Sequence, residues 1–300
     1  MKKRINNHKI RKAVIAAAGY GTRFLPATKN QPKEMLPIID KPIIQYLVEE
    51  AVDSGIEDII IVTRMGQSSL ENHFDSNLEL EHMLEANGKT ELLEKVRQVS
   101  QMANVIYVRQ RKHLPYGNGT PLLTVKDLIN KNERFVYMFG DDLVLSETPC
   151  AKQLMDYSNK KDGGVIAAVQ EVPTEEVSRY GIYKLAPGSK DRAVGVVEKP
   201  TPGNEPSRLA QFGRFVLNHK IIDILNTNYS QNILGIGNEL WLTDAIEEYA
   251  QKNPVYVARI EGEWMTTGDP LRYMKTQVRY ALDRPDLGPE FSRFLKSLKL

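Results

Sequence analysis

Hydrophobic residues occur along this chain in short continuous runs that are separated by amphipathic stretches. The run at 13–18 is apolar throughout, which is typical of a strand buried on both faces of a mostly parallel sheet. A helix is expected after Pro42, because Ile44, Leu47 and Val48 fall on one face before Gly55. The pattern predicts strands at 13–18, 57–63, 104–110, 134–140, 163–172, 209–218 and 255–262. It predicts further helices at about 121–130, 148–161, 219–227 and 239–252, and two or three between 66 and 102.

The alternation of strands and helices predicts an α/β protein with a doubly wound, mixed and mostly parallel sheet. Segments 180–185 and 193–200 are β-rich and predict a small antiparallel β flap. Helices at about 270–283 and 286–299 close the chain. We expect one domain over residues 1–300, with a core at about 12–265 and a C-terminal helical segment at about 270–300.

The first strand leads into a long loop, GYGTRFLPATKNQPKEMLP (19–37). Gly19 and Gly21 permit backbone angles and close approaches that side chains would block. Such loops present backbone N–H groups to phosphates. Arg23 adds a planar fork for phosphate, and Lys33 adds a mobile point charge. The loop therefore predicts a phosphate site, although an ordinary strand-to-helix connection with incidental glycines is the alternative.

Two common phosphate motifs are excluded for this loop. A dinucleotide fingerprint needs a third glycine and an immediate helix, but Phe24 follows Arg23 and prolines interrupt the segment. A P-loop needs a Gly-Lys-Ser/Thr triplet, which this loop lacks.

Polar side chains also occur at the predicted ends of three other strands. These are Gln110, the pair Asp141-Asp142, and the pair Glu198-Lys199. In open α/β sheets ligands bind beyond the carboxyl ends of strands, so these groups and the glycine loop predict one shared site. The alternatives are a surface glutamine, a solvated turn or helix cap, and an exposed ion pair.

Composition narrows the possible partners. Forty basic and thirty-eight acidic residues leave a net charge of +2, which argues against nucleic acid as the main partner. No stretch approaches the length of a membrane span, and we expect no membrane partner. The one cysteine, Cys150, suits a reducing compartment, so we expect a cytoplasmic protein. The five histidines show no metal-ligand spacing.

The loop sequence through GYGTRFLPATKNQPKEMLPIIDKPIIQY resembles the signature of bacterial UTP–glucose-1-phosphate uridylyltransferases, which are sugar-1-phosphate nucleotidyltransferases. The resemblance continues at VRQ (108–110), GDD (140–142), YGI (180–182), VVEKP (196–200), GRFVL (213–217) and LTDAI (242–246). It covers essentially the whole chain and implies the Rossmann-like nucleotidyltransferase fold.

The resemblance implies an enzyme that forms UDP-glucose and pyrophosphate from UTP and α-D-glucose 1-phosphate. The sugar phosphate would attack the α-phosphorus in line, and catalysis would rest on positioning and on screening of repelling charges. Arg23 and Lys33 would hold the triphosphate and the leaving pyrophosphate, and Lys199 would hold the sugar phosphate. Asp141 matches the family's metal-binding aspartate and would hold Mg²⁺. These four residues are the implied catalytic set.

Other residues are implied to bind substrate. Ala18, Gly19 and Glu34 would meet the uridine, and Gly117 would approach the base. Glu198 would accept sugar hydroxyls. The amide of Gln110 has a donor and an acceptor that match the N3–H and O4 edge of uracil. The full substrate-binding set is Ala18, Gly19, Gly21, Thr22, Glu34, Gln110, Gly117, Asp142, Gly181, Glu198, Gly213 and Thr266, in which Gly181 and Gly213 would leave room for the sugar ring.

The chain departs from the family pattern in two places. The segment LPYGNGT (114–120) stands where the family usually has Lys-Gly-x-Gly-His-Ala, which puts base contacts there in question. Thr266-Thr267-Gly268 stands where many relatives have an Asp-x-Gly motif with a second metal-proximal carboxylate. Thr266 would donate to a phosphate or bind through water, and Asp269 is expected to lie too far along the chain.

Two alternatives to the implied activity stay open. One is a related enzyme that uses dTTP or another hexose 1-phosphate. The other, motivated by Thr266, is a non-catalytic protein that binds nucleotide sugars. Because relatives are commonly homo-oligomers and the last helix is amphipathic, we expect a homodimer or homotetramer.

Overall fold

The computed structural model describes residues 9–161 and 163–298. The predicted domain limits at residues 1 and 300 and the predicted helix end at residue 299 lie outside these residues. The strands are β1 (Lys12–Ala16), β2 (Pro37–Ile38), β3 (Lys41–Pro42), β4 (Asp58–Thr63), β5 (Asn104–Arg109), β6 (Arg134–Phe139), β7 (Asp142–Leu145), β8 (Val165–Glu171), β9 (Gly181–Leu185), β10 (Arg192–Glu198), β11 (Leu209–Asn218), β12 (Val255–Arg259) and β13 (Glu263–Thr266). The α-helices are α1 (Ile43–Asp53), α2 (Ser68–His73), α3 (Leu78–Ala86), α4 (Thr90–Ser100), α5 (Thr120–Thr124), α6 (Cys150–Asn159), α7 (His219–Ser230), α8 (Leu242–Ala250), α9 (Pro270–Asp283) and α10 (Gly288–Ser297).

A mixed nine-stranded sheet forms the centre of the molecule, in the order β5-β4-β1-β6-β11-β8-β12-β10-β9. Strand β1 runs parallel to β4 and β6, and β5 runs parallel to β4. Strand β11 runs antiparallel to both β6 and β8, whereas β12 runs parallel to β8. The protein is therefore α/β with a mixed sheet. The prediction of a mostly parallel sheet was wrong, because among the described residues this sheet has four parallel and five antiparallel strand pairings.

The hairpin of β9 and β10 is antiparallel, as predicted for the flap. It is joined to the main sheet, however, because β10 pairs with β12 and β9 pairs with β11, where Ile182 lies opposite Ala210. This second pairing curls the end of the sheet back on itself. The curl brings Gly181 and Glu198 to the same side of the molecule as the glycine loop.

Alternate residues of the central strands feed two hydrophobic clusters on opposite faces of the sheet. Ile15 and Ile61 belong to one cluster, which also includes residues of α1 and α6. Val14 and Ile60 belong to the other, which includes residues of α5, α7 and α8. Helices therefore cover both faces of the sheet, so a ligand can reach the sheet only at its edges.

The carboxyl ends of the parallel strands meet at one such edge. Ala16, the last residue of β1, lies opposite Val62 of β4 and Phe139 of β6. Beyond these ends, the N–H of Gly140 donates to the Ala16 carbonyl at 3.1 Å, and the N–H of Gln110 donates to the Thr63 carbonyl at 2.8 Å. The glycine loop, Gln110 and the turn at 140–142 thus lie side by side.

Two local predictions were wrong in extent, and one strand pairing was not predicted. The helix predicted at 121–130 is a single turn, α5, followed by a 3₁₀ turn at Lys126–Leu128. The strand predicted at 255–262 ends at Arg259, and β13 follows it after a turn. Strand β13 pairs with β7, which the sequence pattern did not indicate, because both strands are short and pair with distant partners.

The chain closes with α9 over the predicted bounds of 270–283 and with the shorter α10. Helix α9 begins after Asp269, whose carboxylate accepts from the N–H of Arg272 at 3.0 Å. Within the described ranges, no helix has the length and apolar character that crossing a bilayer requires.

Candidate active site

A cleft of about 510 Å³ lies at the edge of the sheet where the strand ends meet. Every predicted site residue except Gly213 lines this cleft, although the residues come from distant parts of the chain. The common site predicted from the strand ends is therefore present as a geometric feature. The cleft has three regions, which differ in the charged or polar side chains that line them.

The first region contains Arg23, Lys33 and Asp141. The 3₁₀ turns at Thr22–Phe24 and Lys33–Met35 carry the two cations. Lys33 Nζ donates to Asp141 Oδ2 at 2.6 Å. Arg23 Nη1 donates to the Gly268 carbonyl at 3.1 Å. Two cations and one carboxylate thus converge beside the glycine loop, which is an arrangement suited to a polyphosphate and a divalent cation.

Lys33 and Asp141 keep their charges although both side chains are partly buried. Burial opposes the charge on Lys33, but the carboxylates of Asp141 and Glu34 outweigh it and hold the pKa of Lys33 above its usual value. Burial likewise opposes the charge on Asp141, and the ammonium of Lys33 holds the pKa of Asp141 below its usual value. Both groups are therefore charged at neutral pH.

The side chain of Asp142 points away from that of Asp141 and is hydrogen-bonded within the protein. Its Oδ1 accepts from Trp264 Nε1 at 2.8 Å, and its Oδ2 accepts from the N–H of Gly213 at 3.0 Å. Burial, together with the charge of Asp141, raises the pKa of Asp142 to about 6. Both of its oxygens are engaged by the protein, so Asp142 fixes the turn that presents Asp141.

Gly213, expected to leave room for the sugar ring, lies behind the wall of the cleft. A Cβ atom at this position would lie 2.2 Å from Cβ of Phe139, which itself lines the cleft. The missing side chain therefore makes room for Phe139 rather than directly for a ligand.

The second region contains Gln110 and Glu34. Oε1 of Gln110 and both carboxylate oxygens of Glu34 are buried without a hydrogen-bond partner in the described part of the chain. The nearest cation to Glu34 is Lys33 Nζ at 3.9 Å, too far for a hydrogen bond. Burial raises the pKa of Glu34 to about 7. Buried polar atoms are rarely left unpaired, so these three atoms mark a place where a ligand or water supplies partners.

The segment 114–120, which departs from the family pattern, is firmly attached beside this region. The N–H of Leu240 donates to the Tyr116 carbonyl at 2.6 Å, and the N–H of Gly119 donates to the Leu240 carbonyl at 2.9 Å. Asn118 Oδ1 accepts from the N–H of Leu242 at 2.7 Å. The segment therefore still presents Tyr116, Gly117 and Asn118 to the cleft.

The third region contains Glu198 and Lys199 at the end of β10. Glu198 Oε2 accepts from the hydroxyl of Thr243 at 2.6 Å, and its Oε1 lies 3.7 Å from Lys199 Nζ. Burial raises the pKa of Glu198, although Thr243 and Lys199 oppose the shift. Gly181 lies opposite Glu198 and leaves space for the side chain of Gln211, which donates to Thr243 at 3.0 Å. The region offers an anchored carboxylate beside a cation.

Sequence reasoning missed several residues that line the cleft, among them Tyr116, Asn118, Arg179, Glu239, Trp241 and Trp264. Arg179 adds a further cation, and its Nη1 lies 3.8 Å from Asp269 Oδ2. Arg179 and Trp241 each stand next to a quoted motif, one before YGI and the other before LTDAI. That adjacency was the one available signal.

The segment 266–269 does not bring a second carboxylate to Asp141. Thr266 Oγ1 accepts from the N–H of Gly268 at 3.3 Å, and Asp269 is turned toward Arg272 Nη1 at 2.8 Å. Among the described residues, no group of three or more His, Cys, Asp or Glu side chains could hold a metal ion. Mg²⁺ often takes one or two protein carboxylates and completes its shell with substrate phosphates and water. Asp141 beside the phosphate-suited cations fits that mode of binding.

Comparison with known proteins shows similarity over nearly the whole chain. The model of the nucleotidyl transferase family matches residues 12–281. A UTP–glucose-1-phosphate uridylyltransferase of Staphylococcus epidermidis is 48% identical over 294 residues, which cover 97% of this chain and 99% of the relative. The UTP–glucose-1-phosphate uridylyltransferase YngB of Bacillus subtilis is 45% identical over 293 residues, which cover 97% of this chain and 96% of the relative.

Two solved structures are similar over most of the chain. The UTP-bound UDP-glucose pyrophosphorylase of Acinetobacter baumannii has a TM-score of 0.86 and 36% identity, covering 97% of this chain and 100% of that one. A UDP-glucose pyrophosphorylase complexed with UDP-glucose has a TM-score of 0.79 and 36% identity, covering 92% of this chain and 100% of that one.

Proposed function

We propose, from the premise that this chain belongs to the nucleotidyl transferase family, that it forms UDP-glucose and pyrophosphate from UTP and glucose 1-phosphate. Curated relatives of nearly the same length carry this activity in their names, and similar structures hold UTP or UDP-glucose. One observation supports the proposal most directly. Arg23, Lys33 and Lys199 line a single cleft together with Asp141, although they lie far apart in sequence.

The chemistry requires two polyanions to approach each other. UTP carries about four negative charges and the sugar phosphate about two, so the attacking oxygen is repelled until those charges are screened. Arg23 and Lys33 would bind the triphosphate, stabilise the charge that builds on the leaving pyrophosphate, and keep the α-phosphorus facing the sugar phosphate. Lys199 would bind the sugar phosphate and orient its oxygen for in-line attack.

Asp141 would hold the Mg²⁺ ion expected for this chemistry, and the bound ion would screen phosphate charge. The protein side of this role is the orientation of Asp141. Lys33 binds one of its oxygens, and the hydrogen bonds from Trp264 and Gly213 to Asp142 fix the turn that carries it.

Gln110 and Glu34 would recognise the uridine, because their buried unpaired atoms lie on the cleft wall. Glu198 would accept hydroxyl hydrogen bonds from the sugar. Sites that pair buried polar groups with substrate hydroxyls reject analogues strongly, because the analogue leaves those groups unpaired.

The proposal is tested by steady-state kinetics of pyrophosphate release with the purified protein. Nucleotides UTP, dTTP and CTP and several hexose 1-phosphates are compared, with Mg²⁺ and with EDTA. We expect the highest kcat/KM for UTP with glucose 1-phosphate and loss of turnover in EDTA. Tight binding of UDP-glucose without any pyrophosphate release would instead identify a nucleotide-sugar-binding protein, and a higher kcat/KM for dTTP would identify a thymidylyltransferase.

A further inference from the structure

The side chain of Trp241 forms the floor beneath the amine of Lys199. Lys199 Nζ lies 4.2 Å from the centroid of the Trp241 ring. The ring also lines the cleft beside Glu198 and Glu239. An ammonium over an indole face is the most favourable pairing of a cation with an aromatic side chain. Trp241 therefore contacts the cation that the proposed function assigns to the sugar phosphate.

The Trp241 ring is held in place from its other sides. Its Nε1 donates to the Ile236 carbonyl at 3.1 Å. The backbone of Gly235 lies against the ring edge so closely that a Cβ atom there would lie 2.5 Å from Trp241 Cδ1. The N–H of Gly235 donates to the Glu239 carbonyl at 2.9 Å, which closes the loop before the tryptophan. The indole is thus a fixed surface rather than a mobile side chain.

The side chain of Lys199, in contrast, has few restraints, although its backbone is fixed. Its backbone has a φ of 47°, in the left-handed region that residues other than glycine seldom adopt, and its N–H donates to the Tyr180 carbonyl at 2.9 Å. Its side chain is 45% exposed, and the amine is flanked by Glu198 Oε1 at 3.7 Å. A long exposed lysine would sample many rotamers, so the direction of this amine depends on the groups that flank it.

We propose that Trp241 is a positioning residue for the sugar-phosphate subsite, and that it holds the ammonium of Lys199 where the phosphate of a hexose 1-phosphate binds. The inference rests on the proposed function and adds a residue to it. Trp241 provides the fixed face, Glu198 provides the opposite charge, and Thr243 fixes Glu198 through its hydroxyl. The triphosphate region is served by Arg23 and Lys33 instead, so the effect of Trp241 is confined to one substrate.

The test is a comparison of KM values for the two substrates. Trp241→Leu removes the aromatic face and should raise the KM for glucose 1-phosphate about tenfold, with the KM for UTP changed less than about twofold. Trp241→Phe keeps an aromatic face and should restore most of the affinity for glucose 1-phosphate. Ile236→Ala is the matched control, because this exposed side chain lies in the same loop and outside the cleft lining, and it should behave as wild type.

A double-mutant cycle tests whether Trp241 acts through Lys199. In the Lys199→Ala background, Trp241→Leu should have no further effect on the KM for glucose 1-phosphate. An additional increase of the full size in that background, or equal increases in the KM of both substrates, would overturn the inference. A wild-type protein without any UDP-glucose formation would instead overturn the proposed function, so the two failures are distinguishable.

A fluorescence measurement covers the case in which Trp241→Leu does not fold. The chain has two tryptophans, Trp241 and Trp264. A sugar phosphate that binds the amine where it lies over the indole face should change the emission of wild-type protein during titration with UDP-glucose. The change should be largely lost in Trp241→Phe and reduced in Lys199→Ala at saturating ligand. An undiminished change in both variants would contradict the inference.

Discussion

At the scale of single residues, the buried and unpaired Oε1 of Gln110 favours a ligand-binding role over that of an ordinary glutamine at a strand end. From the residues alone, a surface side chain is the preferred interpretation, and the base-reading role comes from the family resemblance. The structure buries this oxygen without a partner at the cleft wall, while the backbone N–H of the same residue is fixed to Thr63. An acceptor left in this state needs a donor from a ligand or from water, and the N3–H of uracil is such a donor.

Gln110→Ala should therefore reduce discrimination between nucleotides. We expect the ratio of kcat/KM for UTP to that for CTP to fall about tenfold, because a hydrogen-bonded pair to the base is removed and cytosine no longer meets a mismatched amide. The measurement is steady-state kinetics with both nucleotides at saturating glucose 1-phosphate. An unchanged ratio would remove Gln110 from base recognition.

Glu34 should make the stability of the protein depend on pH. Burial raises its pKa from 4.5 to about 7, so the folded state holds a proton that the unfolded state releases between these values. Stability contributed at low pH is therefore lost as pH rises from about 4.5 to about 7, and the cost at pH 8 is about 3 kcal/mol.

Glu34→Gln removes that titration. In urea denaturation, the variant should gain stability relative to wild type at pH 8, with a gain that shrinks toward zero near pH 4. A difference between variant and wild type that is constant across this pH range would show that Glu34 does not titrate there.

At the scale of secondary structure, the sequence predicts the elements whose pattern is local. Strands β4, β5 and β6 and helix α9 fall within a residue or two of their predicted bounds, because each is a buried run or an amphipathic repeat with clear ends. Strands β7 and β13 escaped prediction, since their stability comes from pairing across about 120 residues of sequence rather than from their own composition.

The candidate site shows the same division between what local sequence predicts and what depends on contacts between distant segments. The ends of the parallel strands predict that the glycine loop, Gln110 and Asp141 meet. The rule does not account for Glu198, because β10 runs antiparallel to β12 and reaches the cleft through the curl that pairs β9 with β11. The sequence pattern therefore placed Glu198 in the cleft without indicating this geometry, and its role toward the sugar is implied by the family resemblance. Trp241 and Arg179 were missed because contact with the cleft depends on tertiary packing.

Gly117 tests how strictly the segment 114–120 depends on its attachment. Its φ is 126°, and a Cβ atom would lie 2.2 Å from the Leu240 carbonyl oxygen. Gly117→Ala should therefore destabilise the fold by about 3 kcal/mol, through backbone strain and overpacking together, and should raise the KM for UTP. Thermal unfolding and nucleotide kinetics give the two readouts.

The matched control for this prediction is Gly88→Ala. Gly88 has a φ of 65°, but an added Cβ would meet no atom within 4 Å. The control carries the conformational cost of a left-handed alanine, about 1 kcal/mol, without the clash, and should leave the KM for UTP unchanged. Equal losses of stability in both variants would indicate that the Leu240 contact does not constrain the segment.

At the scale of the whole molecule, an apolar surface on α9 bears on the expected homo-oligomer. Leu271 and Met274 are 63% and 65% exposed, and Val278 follows them on the same face of the helix. These three side chains and Met265 line a groove of about 650 Å³ that adjoins the active-site cleft, with which it shares Trp264 and Thr266. Contiguous apolar surface of this kind is unfavourable in water and is commonly covered by another protein surface.

We therefore predict that light scattering will give a mass of two or four times the 34.0 kDa of the chain. Leu271→Glu combined with Met274→Glu should shift the protein toward the mass of a single chain, because association would bury two uncompensated charges. Leu78→Glu is the control, since Leu78 is 64% exposed but lies on α3, away from the groove. Its mass should stay that of the wild type. A wild-type mass of 34.0 kDa would contradict the homo-oligomer, whereas an unchanged oligomer in the double variant would place the interface on another surface.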